Sequence, residues 1–134
     1  MKDDLPLMSA EFVIVGMAFD PNECTLHFGV QPTKVLVEGD RVPGTRRLVP
    51  QSAWKVESKR ERCDSTDRAI WPVVNSVWPK RKEIREFAGE KGLRISFIVK
   101  ILGGLGKRNF LYEFSPCLLE RIAYFRAPLH IDVY

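Results

Sequence analysis

Hydrophobic positions along the chain change period several times, and each change marks an element. "EFVIVGM" is a β-branched run and predicts a strand at about Glu11 to Met17. Directly after it, Asp20-Pro21-Asn22-Glu23 is a helix start with a mechanism. Asp20 caps free N–H groups, Pro21 sits where no N–H is needed, and Glu23 is placed to complete a capping box. Gly29 supplies the left-handed stop. A short extended piece over Lys34 to Glu38 leads through the turn "EGDR" and a basic, proline-bearing stretch to a second strand, "AWKVES".

The period then becomes helical. In "CDSTDRAIWPVVNSVWPKRKEIREFAGEKG", Ile70, Val73, Val74, Val77 and Trp78 recur at the spacing of one buried stripe. Pro79 opens a second helix that buries Ile84, Phe87 and Ala88 and stops at Gly92. Pro72 would delete a hydrogen bond inside a helix, so a start at Pro72 is the simpler expectation. "LRISFIVKIL" alternates cleanly, with Leu93, Ile95, Phe97, Val99 and Ile101 on one face, and predicts a long strand. "GGLGKRN" follows as a hairpin-type loop into "FLYEF". Ser115-Pro116 repeats the capped-proline start, opening a helix with Leu118, Leu119, Ile122 and Ala123 inward, and "LHIDVY" is the last strand.

This order predicts one α+β domain over residues 1–134, with 1–10 as a flexible lead-in. The architecture is a two-layer sandwich, a mixed or antiparallel sheet with helices on one face. The segments from Ala18 to Val37 and from Glu113 to Tyr134 share the order aromatic, capped proline helix, proline, strand. A duplicated βαβ unit, as in ferredoxin-like folds, would produce that repetition, and so would chance.

Charge adds a polarity. Residues 1–40 carry two basic and seven acidic groups, and residues 41–134 carry nineteen and ten, for a net charge of +4. Such a surface can steer an acidic partner or nucleic acid, or simply keep the protein dissolved. Three cysteines, Cys24, Cys63 and Cys117, form neither an even set nor a CxxC pair, which points to a reducing compartment. "FVIVGMAF" ends at Asp20, too short for a membrane span, and the expected location is cytoplasmic.

Most chemical motifs fail on spacing. The glycines before Lys107 lack both the leading glycine and the hydroxyl of a phosphate-binding P-loop, and Asn109 stands where a dinucleotide fingerprint needs glycine. No G-x-S-x-G elbow is present, and only His27 and His130 offer imidazole. Cys24, His27, Cys63 and Cys117 lack the paired spacing of a zinc site, so neither a metal nor a cofactor is expected and no catalytic residue is assigned. Cys24 and His27 share a helix face with Phe28, which predicts core-edge packing for both.

The strand parities point elsewhere. With Leu129, Ile131 and Val133 inward, His130, Asp132 and Tyr134 share the opposite face. The same parity puts Arg94, Ser96 and Lys100 there, and Lys55 with Glu57. This polar sheet face is either solvated or a docking surface, with Trp71, which lies off the buried stripe, as a further anchor.

The ordered set "FVIVG", "DPNECT", "FGVQPTK", "EGD", "AWKVES", "WPKRKEI", "EFSPCLLERIA" and "IDVY" resembles a family of small bacterial proteins catalogued as a domain of unknown function, number 4279. The matching positions include Asp20, Pro21, Thr25, Gly29, Trp54, Ser58, Ser115, Pro116, Asp132 and Tyr134. The resemblance implies a small α+β domain and brings no activity or cofactor with it. Without a catalytic constellation, the expected function is a non-enzymatic protein-binding module, of the kind that serves as a toxin-neutralising immunity protein. The alternatives are nucleic-acid binding on the basic sheet face and an enzyme using His130 or His27 with Asp132. The expected partner is another protein, with no membrane role, and a homodimer is the other way to cover the sheet face.

Overall fold

A continuous run of β-branched and aromatic residues, Phe12 to Val15, lies in a central strand, β1 (Leu7–Gly16), that pairs antiparallel on both sides. The computed structural model describes residues 5–103 and 112–134. After β1 come α1 (Pro21–Phe28), β2 (Lys34–Leu36), β3 (Ser52–Glu57) and β4 (Glu61–Arg62). A second half follows: α2 (Thr66–Val77), a 3-10 turn at Trp78–Lys80, α3 (Arg81–Lys91), β5 (Arg94–Leu102), α4 (Pro116–Tyr124) and β6 (Leu129–Val133). The strands order β2-β3-β1-β5-β6, with β4 beside the start of β1. All pairings are antiparallel except β5 with β6, which makes the sheet mixed.

β3 and β5 flank β1, and β2 lies beyond β3, the order of a ferredoxin-like βαββαβ sandwich, to which α4 and β6 are added. The repetition seen in the sequence is not a structural one. β1–α1–β2 is a split unit with β3 inserted, whereas β5–α4–β6 joins adjacent parallel strands. The expected loop "GGLGKRN" into "FLYEF" falls largely on residues 104–111, outside the described residues, and Tyr112–Phe114 is not strand.

β1 begins at Leu7, so Leu7–Ala10 is ordered sheet and not a flexible lead-in; Met8 and Ala10 extend the inward row and are buried. α1 is capped as its sequence predicts, the Asn22 N–H donating to Asp20 Oδ1 at 3.0 Å and Gly29 closing it at φ 68°. Glu23 turns its carboxylate to Lys91, 3.7 Å away. α2 starts earlier than the proline rule suggests, because Ser65 caps it and the buried row Ile70, Val73, Val74, Val77 runs through Pro72 without a break. α4 buries Leu118 and Ile122, but Leu119 and Ala123 face water.

All four helices lie on the face of the sheet that carries Phe12, Trp54 and Phe97. Phe28 from α1 meets Trp54 and Phe87 from α3, and Phe125, at the end of α4, meets Phe12 and Phe97. Edge-to-face pairs of this kind add about 0.5–1.5 kcal/mol each beyond area burial.

Because Pro72 removes one helical hydrogen bond and the burial around it supplies the offset, Pro72→Ala is expected to stabilise the protein by roughly 1–3 kcal/mol. The shift is read from the urea midpoint at unchanged m-value; an unchanged or lowered midpoint contradicts this account of α2.

Candidate functional site

The sheet face away from the helices holds most of the predicted contact residues. Register places Lys55 beside Val13 and Lys34, Ser96 beside Val13, Lys100 beside Ser9 and Asp132, and His130 beside Ile98. Tyr134 prolongs the pairing past β6, its N–H donating to the Ile101 carbonyl at 2.9 Å. At the centre lies a residue the sequence reading missed. Glu11 is 3% exposed and sits between Lys100 Nζ at 3.2 Å and Lys55 Nζ at 3.9 Å. Its parity with Val13, one residue pair from both lysines, was the signal, readable only once β1 is known to lie between β3 and β5.

The two lysines therefore are not free contacts. Partial burial lowers the affinity of Lys100 for its proton, but Glu11 more than reverses this and holds the ammonium's pKa above the ordinary lysine value. The stabilisation of this pair is fully present at neutral pH and disappears as pH rises through that elevated pKa, above about 10.4.

Arg94, Ser96 and His130 have a second neighbourhood. β6 begins at Leu129, opposite Phe97, so among the described residues no strand lies beside Arg94–Ser96 on that side. The Phe97 N–H donates to the Pro128 carbonyl at 3.0 Å, and strand alternation turns the N–H and C=O of Ile95 the same way, into the gap. The gap is a notch of about 910 Å³, walled by α3 and by the turn from α4 to β6, with Ile95 and Phe125 in its lining. Lys82, Arg85, Arg94 and Arg126 line it against Glu86 and Glu90. Gly89 leaves room: a Cβ there would meet nothing within 4 Å.

Arg126 is held at φ 54°, a left-handed conformation that costs a non-glycine residue about 1–2 kcal/mol. Its N–H donates to the Ala123 carbonyl at 2.9 Å, ending α4.

Trp71 stands apart from the sheet face. Its indole N–H donates to Asp67 Oδ2 at 2.9 Å, and Asp67 Oδ1 accepts from the Ser115 N–H, so the pair ties α2 to the start of α4. Trp71 also begins a ladder of stacked arginines. Arg121 lies over Trp71 and Trp78, Arg81 over Trp78 and Tyr124, and Arg85 over Tyr124.

The Cys24 and His27 pair divides. Cys24 is fully buried, and burial, assisted by Glu23, pushes its thiol up to about 12. His27 is exposed, its ring 5.3 Å from Phe87, because the buried row of α1 runs through Pro21, Cys24 and Phe28 and His27 lies to one side of it. Among the described residues, no three His, Cys, Asp or Glu side chains gather to hold a metal, and no helix is long and apolar enough to cross a membrane.

The α+β fold is the one the resemblance implies. A family profile described as a domain of unknown function (DUF4279) matches residues 6–134. The chain belongs to this family. No curated protein and no solved structure matches the chain. Membership in DUF4279 thus carries a fold-wide sequence pattern with no assigned chemistry, and the geometry of the notch has to stand by itself.

Lys100→Met leaves Glu11 buried with only the longer Lys55 contact, and is expected to cost roughly 1–3 kcal/mol, reduced by the partial exposure of Lys100. Glu11→Leu with Lys100→Met should recover most of that loss in urea melts at pH 7. Equal losses in the single and double variants would show that Glu11 does not depend on Lys100. In the native protein, a disulfide reagent at pH 8 should modify exposed Cys117 rapidly and Cys24 only on unfolding. Prompt labelling of Cys24 would contradict its burial.

Proposed function

We propose that the protein is a non-enzymatic protein-binding module that receives an acidic, extended segment of its partner in the notch beside β5; a toxin-neutralising immunity protein is one form of such a module. The observation that carries this reading is the lining itself: four cationic side chains against two acids around an apolar floor, beside the outward-turned backbone of Ile95. Cations supply attraction and steering, the apolar floor supplies burial, and a strand's N–H and C=O can pair with an incoming backbone. The strain at Arg126 supports it further. A glycine would relax this turn, and the arginine that stands there instead aims a charge at the notch.

Nucleic-acid binding is the second reading, favoured by the ladder of arginines on Trp71, Trp78 and Tyr124. It moves that reading from the sheet face, where Tyr134 is the aromatic available, to the helical layer.

A labelled peptide alternating glutamate and valine is expected to bind saturably by fluorescence anisotropy, more weakly as salt rises, and its lysine counterpart not at all. Arg126→Gly should raise stability by about 1 kcal/mol while lowering affinity for the glutamate peptide roughly tenfold. Absence of saturable binding, or an affinity indifferent to Arg126, sinks the proposal. Binding of a single-stranded oligonucleotide that quenches tryptophan fluorescence, with no binding of the glutamate peptide, would transfer the function to the ladder.

A further inference from the structure

Among the described residues β6 is an edge strand of the sheet, with β5 on one side and no strand on the other. It has no proline, no lysine and no bulge, and its one acidic side chain is Asp132. The opposite edge, β2, is only three residues long. Ile131 and Val133 lie on the helix side of the sheet, in line with Val99 and Ile101, yet are 41% and 44% exposed, because β6 runs beyond the cover of the helices. This corrects the expectation that both are core.

Backbone direction sets the pairing. The Phe97 N–H donates to the Pro128 carbonyl, the Tyr134 N–H to Ile101 and the Gly103 N–H to Tyr134. Even-numbered residues of β6 therefore face β5, and Leu129, Ile131 and Val133 turn their N–H and C=O groups outward. We propose that a second copy of this chain pairs edge to edge along β6, antiparallel, about a twofold axis at Ile131.

In that register every outward N–H of the strand meets an outward C=O: Ile131 faces its own copy and Leu129 faces Val133. The side chains match as well. His130 falls opposite Asp132 of the second copy, at the closer, non-hydrogen-bonded spacing of an antiparallel ladder. Among the described residues Asp132 has no ion pair, since the Lys100 ammonium turns to Glu11. Sliding the register by one step in either direction sets Asp132 against Asp132 or His130 against His130 and loses an outward pair. The strand "LHIDV" is thus self-complementary in one register and mismatched in its neighbours.

Sedimentation equilibrium of the wild-type chain should show a monomer–dimer equilibrium, and Ile131→Pro, which removes an N–H that β5 does not use, should abolish it with little change in the urea midpoint. His130→Asp and Asp132→His should each weaken the dimer, and the double exchange should restore it. If Ile131→Pro fails to fold, the exchange series carries the test alone. A monomeric wild-type chain at several hundred micromolar, a dimer that survives folded Ile131→Pro, or a double exchange weaker than both single ones would overturn the proposal. None of these readouts depends on the notch.

Discussion

Phe125 is the constraint on which the other features turn. Its ring packs against both Phe12 and Phe97, with centroids 5.7 and 5.6 Å away, and also lies against Trp78. Phe12 in turn reaches Trp54, so one cluster ties β1, β3 and β5 to α4. Because Phe125 is the residue that caps α4, directly after Tyr124, its burial decides where the helix ends. The chain must then turn at once, which puts Arg126 in the left-handed region and brings Pro128 level with Phe97. The late start of β6 follows, and with it the notch beside Arg94–Ser96.

The sheet's second face obeys a different balance. Burying a carboxylate there is costly unless cations answer it, and Lys55 and Lys100 answer Glu11 from the two strands that flank β1. The face is neutralised at its centre and charged toward the β6 side. Asp132 and His130 are left there without Lys100, next to an open strand edge, while Arg94 and His130 border the notch. Two surfaces of different character meet at β6: a basic recess at its beginning and, among the described residues, an edge with no strand beside it along its length.

Local signals in the chain were strong enough to show most of the elements and little of their arrangement. The caps at Asp20 and Ser115, the alternation in β5 and the stripe in α2 are short-range physics, and each lies where its sequence pattern puts it. Pro72 misled because a local penalty was outweighed by burial that the sequence shows only as a periodicity. Glu11 was invisible as a site because its partners stand 44 and 89 positions away, in strands whose order the sequence does not specify. Arg94, Ser96 and His130 were found by parity, but the notch they border depends on where β6 starts, which Phe125 decides through packing. Trp71 read as an anchor because it leaves the buried stripe; its hydrogen bond to Asp67 accounts for that departure.

Among the described residues β5 is unpaired beside the notch, and amide hydrogen exchange at Ile95 reads this out, with Phe97 as the internal reference. Phe97 is bonded to Pro128, and Ile95, two residues earlier on the same strand edge, meets no strand among the described residues. The Ile95 amide should exchange much faster than that of Phe97 in the free protein and slow when an acidic peptide occupies the notch. Equal protection of the two amides in the free protein would contradict it.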